Sequence, residues 1–309
     1  LAVYIFHLSD KLSNRESMDF FPQPFQPVVP YDELSIFSEG LDHPEGLAFD
    51  DEGTLWAGGE AGQIYRISAE RKPVEIANIG GFCLGLAFSP KQELFVCNLL
   101  LRALICLDRN GRVLQTIEQV NGTPLQTPNF SVFDTEGNLY FSDSGKWNHH
   151  NGCIYRLRSN GHAEYFAGPF GFANGLAMNA LCDKLFVVES QRDCVTCIPI
   201  LPNGSAGPPE IYASGLARVP DGITIDAAGN LYVTCYATNC IYRVRSDRTV
   251  ELFAYDPEST RLAGPTNSVF GGPARDELFV ANLNRWHITR IPTGAPGQLL
   301  ANQSADRIS

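Results

Sequence analysis

VPDGITIDAAGNLYVTCY, residues 219–236, reads as two short strands around a polar turn. Ile223 and Ile225 lead into Asp226-Ala-Ala-Gly229-Asn230, a turn composition, and Leu231-Tyr-Val follows with strong strand preference. Five other segments repeat the pattern: residues 44–60, 83–99, 128–144, 173–190 and 265–283. Aligned on Phe49, Phe88, Phe133, Met178, Ile225 and Phe270, the copies are spaced by 39, 45, 45, 47 and 45 residues. A third strand follows each pair, as in QIYRIS, CIYRLR and CIYRVR. A fourth precedes the next copy in five cases, as in VEIANI, AEYFAG and VELFAY. Four strands at a period of ~45 residues are the signature of a propeller blade. A β-helix would need a much shorter period. The expected fold is therefore all-β: a six-bladed β-propeller with four antiparallel strands per blade.

The sixth copy lacks an outer strand of its own. ELSIF, residues 33–37, stands before the first copy where such a strand belongs, so the ring is expected to close through it. Residues 1–32, with Pro22, Pro24, Pro27 and Pro30, then form an N-terminal arm on the surface, and 33–309 the propeller.

Composition bounds the function. The net charge of −11 repels a phosphate backbone and excludes a nucleic-acid partner. No run reaches the ~18 apolar residues of a membrane span. The first 21 residues show neither a basic n-region nor an A-x-A site. Nine Cys, an odd number, sit mostly inside apolar strands, as Cys97, Cys153, Cys235 and Cys240 do. This suits free thiols and a cytoplasmic location. The C-x-x-C of Cys194 and Cys197 lacks the helix start of a redox pair.

The breaks in the repeat locate the chemistry. Four residues before each anchor stand Glu45, Leu84, Asn129, Asn174, Asp221 and Thr266. Their neighbours are uniform: Gly46, Gly85, Gly175 and Gly222 follow directly. One ring position thus collects two carboxylates and two amides near the channel axis. Glu45, Asn129, Asn174 and Asp221 are a hard-oxygen donor set for one divalent metal ion. Ca²⁺ is preferred, with Mg²⁺, Mn²⁺ and Zn²⁺ as alternatives. Neither His nor Cys joins the ring, which disfavours a soft-metal site. A ring of mutually hydrogen-bonded side chains around a water-filled channel is the competing reading. The second-strand tails return to the same mouth with Glu60, Asn98, Asp143, Glu189, Tyr236 and Asn282. The insertion SGKWNHHNG, residues 144–152, brings Lys146, Trp147, His149 and His150 as a rim. Trp147, His149, Tyr236 and Asn129 are candidate substrate contacts. His287, in a strand, reads as structural.

HPEGLAFDDEGTLW (43–56), TPNFSVFDTEGNLYFSDSG (127–145), FANGLAMN (172–179), VPDGITIDAAGNLYVTCY (219–236) and GPTNSVFGG (264–272), in this order, resemble the gluconolactonase/regucalcin (senescence marker protein) family of calcium propellers. The resemblance implies a metal held by Glu45, Asn174 and Asp221, with Asn129 supporting a metal-bound water or the substrate. It implies a small lactone or ester as partner, opened by polarisation of its carbonyl and attack of water. Asp221 is the first candidate base, with Asp143 and Glu189 in reserve. Thr127 and Phe130 stand where sugar-lactone members often carry Arg and Asp, so a less polar substrate is expected. A non-catalytic propeller with a structural calcium, and a metal-assisted isomerase or lyase, are the alternatives on the same scaffold.

Overall fold

The computed structural model describes residues 26–303. Each repeat forms one four-stranded antiparallel sheet, in chain order from axis to rim. The inner strands are Leu47–Phe49, Cys83–Phe88, Pro128–Phe133, Ala173–Met178, Pro220–Ile225 and Pro265–Gly271. The six sheets form the ring, and the fold is the expected six-bladed propeller.

The turn after each inner strand explains why the repeats fold alike. In blades one, three and five an Asp opens it. Asp50 Oδ1 accepts from the Glu52 and Thr54 N–H groups, and Asp134 and Asp226 make the corresponding pairs. Gly53, Gly137 and Gly229 follow at φ 76°, 79° and 83°, which a side chain would resist.

Between blades the sheets pack face to face. One apolar cluster fills each of the six interfaces, such as Ala48, Trp56, Leu86 and Val96 between blades one and two. Closure occurs in blade six. Ser35–Glu39 pairs antiparallel with His287–Pro292 as the fourth strand, two residues further along than ELSIF suggested. Just before it, the Val28 and Val29 N–H groups bond to Leu252 and Phe253 C=O on the outer strand of blade five. The rest of the expected arm, residues 1–25, lies outside the described residues. A small hairpin, Gln119–Val120 with Thr123–Pro124, was not legible in the repeat. Among the described residues no helix is long and apolar enough to cross a membrane.

Candidate active site and metal centre

The inner strands converge at one mouth because glycine lets them. A Cβ on Gly46 would lie 1.9 Å from the Leu84 carbonyl oxygen, and one on Gly222 would lie 2.4 Å from that of Thr266. Each glycine thus admits the ring residue of the next blade. Thr266 Oγ1 also donates to the Glu45 carbonyl at 3.0 Å, which joins blade six to blade one.

Two of the four expected ligands are amides, and the structure fixes which end of each faces the channel. Asn129 Nδ2 donates to Ser144 Oγ at 3.0 Å, and that hydroxyl donates to Ala173 C=O at 2.6 Å. One blade on, Asn174 Nδ2 donates to Ser190 Oγ at 3.1 Å, and Ser190 donates to Pro220 C=O at 2.7 Å. The serines hold the NH₂ groups back. Asn129 Oδ1 and Asn174 Oδ1 are buried without a hydrogen-bond partner among the described residues, and so is Glu45 Oε2. Buried acceptors are seldom left this way, so three together call for a donor or a cation.

The carboxylates carry the same sign. Burial first, then the charge of Asp221, raises the Glu45 carboxyl well above its usual value, although the Asn267 amide bonds to it. Burial raises Asp221 from the usual 3.8 to about 7, against a hydrogen bond with the Asn174 side chain. Two desolvated carboxyls side by side repel unless a proton or a cation sits between them. Asp221 is only partly buried, while Glu45, Asn129 and Asn174 are buried. An all-oxygen set with two carboxylates fits a hard divalent ion, and the orphaned oxygens provide the place for it.

The reserve carboxylates are engaged elsewhere. Asp143 Oδ1 accepts from the Thr127 and Gly145 N–H groups at 2.7 and 3.2 Å, and Oδ2 accepts from the Gln126 N–H at 2.8 Å. Glu189, fully buried, accepts from the Gly171 N–H at 2.8 Å, from Arg192 at 3.0 Å and from the Thr196 hydroxyl. Asn98 and Asn282 do the same in blades two and six, accepting from the Phe82 and Ala263 N–H groups. This second ring clamps the loop that enters the inner strand in blades two, three, four and six. Its side chains are engaged by hydrogen bonds within their own blades.

At the rim, Trp147 packs edge-on against Phe172 at 4.9 Å between blades three and four, and His149 is exposed. The Tyr236 hydroxyl donates to Asn284 Oδ1 at 3.0 Å. Burial first, then the charge of Asp221 and a smaller contribution from Glu60, raises its pKa, against the hydrogen bond to Asn284. His287 bonds to Arg261 C=O and is structural, as read. Sequence reasoning missed Asn267, which occupies the position that holds glycine in four blades. It also missed the rim cluster in which His43 Nδ1 lies 2.9 Å from Asp42 Oδ1 and 3.3 Å from Glu60 Oε2. His43 sits at φ 40° before Pro44 and against Trp286 at 5.3 Å.

Fold and site together define a six-bladed propeller with an oxygen-lined ring at one mouth. The family profile described as SMP-30/Gluconolactonase/LRE-like region matches residues 43–284, and the chain belongs to that family. Among curated proteins it is similar to a gluconolactonase of Zymomonas mobilis, 27% identical over 173 residues, 48% of this chain and 48% of that one. It is also similar to the pentonolactonase XacC of Haloferax volcanii, 23% identical over 245 residues, 75% of this chain and 77% of that one. Among solved structures it superposes on a gluconolactonase of Xanthomonas campestris with TM-score 0.74, at 19% identity, covering 89% of this chain and 97% of the other. A calcium-binding regucalcin of Agrobacterium tumefaciens superposes with TM-score 0.73, at 15% identity, covering 89% and 98%.

Proposed function

We propose that the protein is a metal-dependent lactonase whose ring of Glu45, Asn129, Asn174 and Asp221 holds one divalent ion, Ca²⁺ by the hardness of the donors. The observation that carries this reading is the set of three buried oxygens, on Glu45, Asn129 and Asn174, that have no hydrogen-bond partner among the described residues, with the partly buried Asp221 at the same ring position. Gluconolactonase and pentonolactonase relatives support the reaction class. When bound, such an ion would supply Lewis-acid polarisation of a lactone carbonyl.

The chain's own residues do the rest. Ser144 and Ser190 turn the two amide oxygens inward. Asn267 braces Glu45. Asp221, the ring carboxylate that is only partly buried, accepts the proton of the attacking water. Ion binding lowers its proton affinity and makes it a modest base. With Asp143 and Glu189 held by backbone N–H groups, Asp221 is still the best placed carboxylate. Trp147 and Tyr236 border the substrate, and His149 stands further out on the exposed rim.

The wall at blade three argues for a substrate poorer in hydroxyls than a sugar lactone. The Thr127 hydroxyl is used on the Gly145 carbonyl at 2.8 Å, and Phe130 is packed in the core. Free thiols at all nine Cys favour a cytoplasmic location.

The test is hydrolysis of a lactone panel, from gluconolactone to apolar γ- and δ-lactones, by chelated and metal-restored protein. Turnover that disappears with chelator, returns with Ca²⁺ and favours the less hydroxylated rings is expected. Undiminished turnover in chelator would overturn the metal reading. No turnover with the ion bound would overturn the lactonase reading.

A further inference from the structure

Blade two departs from its neighbours at the mouth in two separate places, and in the same direction. Its ring position holds Leu84, where blades one, three, four and five hold oxygen donors. The inner strand around it is regular. Its bulge between Cys83 and Leu86 recurs at the corresponding place in blades three to six, so Leu84 is the counterpart of Asn129 and Asn174.

The second departure is in the turn between the second and third strands. In blades two, four, five and six this turn has four residues: 99–102, 190–193, 236–239 and 283–286. The first residue of each donates its N–H to the residue just before the inner strand, at the Phe82, Phe172, Val219 and Gly264 carbonyls. The four turns are therefore equivalent by position. Blade four uses its first three places for Ser190, Gln191 and Arg192, and blade six ends with Asn284, Arg285 and Trp286. Blade two begins with Leu99, Leu100 and Leu101.

The two departures join. Leu99 packs on the apolar cluster that contains Leu84 and Phe82, with Val120 and Leu125 from in and beside the small hairpin. Leu100 and Leu101 follow at 60% and 46% exposure. A lone exposed leucine needs no explanation, but an apolar strip that runs from the ring to the rim marks a contact surface. The adjoining wall offers little to hydroxyls, because the Thr127 hydroxyl is used on Gly145 C=O.

We propose that blade two binds an alkyl substituent of the substrate, so that the substrate is a lactone with an unbranched aliphatic chain. Its carbonyl lies at the oxygen ring, and its chain runs over Leu84 and Leu99 to Leu100 and Leu101. This inference rests on the lactonase reading of the ring. The occupant follows from continuity, since the strip begins at the ring position itself and is covered by whatever extends from the group held there. Transfer of each methylene from water to such a surface is worth about two- to fourfold in kcat/KM.

The test is kcat/KM of the Ca²⁺-loaded full chain on γ-butyrolactone, γ-hexalactone, γ-octalactone and γ-decalactone. The variant Leu100→Gln/Leu101→Arg installs the pair that blade four carries at the equivalent places. Leu100→Ser/Leu101→Ser serves if that change impairs folding. In wild type the value should rise about two- to fourfold per methylene over the first members, and the γ-decalactone to γ-butyrolactone ratio should fall about 10-fold or more in the variant. Turnover without chain-length dependence, or a ratio that the variant leaves unchanged, would overturn this inference and leave the lactonase reading standing. Failure to turn over any lactone with the ion bound would overturn both. Wild type that shows no chain preference but sediments with phosphatidylcholine vesicles would assign the strip to a lipid surface instead.

Discussion

Two rings of polar side chains meet at the same mouth and have opposite characters. The inner ring is Glu45, Asn129, Asn174 and Asp221, and the outer is Asn98, Asp143, Glu189 and Asn282. Both recur at a fixed place in the repeat, and both mix carboxylates with amides. In the outer ring the oxygens accept from backbone N–H groups of their own blade. In the inner ring three oxygens accept from nothing among the described residues, although the amide nitrogens beside two of them are tied to serines. Residue type alone does not separate the two rings. On the proposed reading the local supply of N–H donors does, because a saturated carboxylate gains little from a cation and an orphaned one gains much.

This contrast is open to direct attack. The largest effect is expected from Glu45→Gln and Asp221→Asn. Each removes a charge from the donor set and should cost ~100-fold or more in Ca²⁺ affinity and in lactone turnover, read by calorimetry and kinetics. If Asp221→Asn keeps its activity at full ion occupancy, Asp221 is not the base. Next come Ser144→Ala and Ser190→Ala, which free an amide to rotate. Loss of such an orienting partner costs ~10–100-fold in metal affinity, with the fold intact by circular dichroism.

Asp143→Asn should reverse the pattern. It leaves loop N–H groups short of an acceptor, so chemical denaturation should show a loss of about 1–3 kcal/mol in stability. Ion affinity of the folded protein should stay near that of wild type. A large fall in affinity would move Asp143 into the inner ring's class.

The smallest effect is on the pH dependence of stability without metal. Asp221 is raised on folding from its usual 3.8 to about 7, chiefly by burial, and Glu45 moves the same way. The folded chain therefore binds more protons than the unfolded one across that window. Stability is full below about 3.8 and is lost as pH rises toward about 7. Thermal melts of chelated protein should fall through this range, and the gain in Tm on adding Ca²⁺ should be greater above it than below it.

The propeller was legible because the period repeats in strand, turn and glycine, and each copy repeats the same local physics. The inner ring was legible because it breaks that uniformity. The clamp role of Asp143 and Glu189 was not, since it depends on loop N–H groups that only the folded chain brings within reach. Asn267 was hidden one residue out of register, at a place where the repeat holds glycine. The Asp42–His43–Glu60 cluster joins two ends of one hairpin and has no counterpart in the other blades to mark it.

The most direct test of the central claim is a Ca²⁺ titration by calorimetry into chelator-treated wild type, Asp143→Asn and Asp221→Asn. One ion bound by wild type and by Asp143→Asn with similar affinity, and none or far weaker binding by Asp221→Asn, is the predicted result. Equal binding by Asp221→Asn, or no binding by wild type, would contradict the assignment of the inner ring as the metal centre.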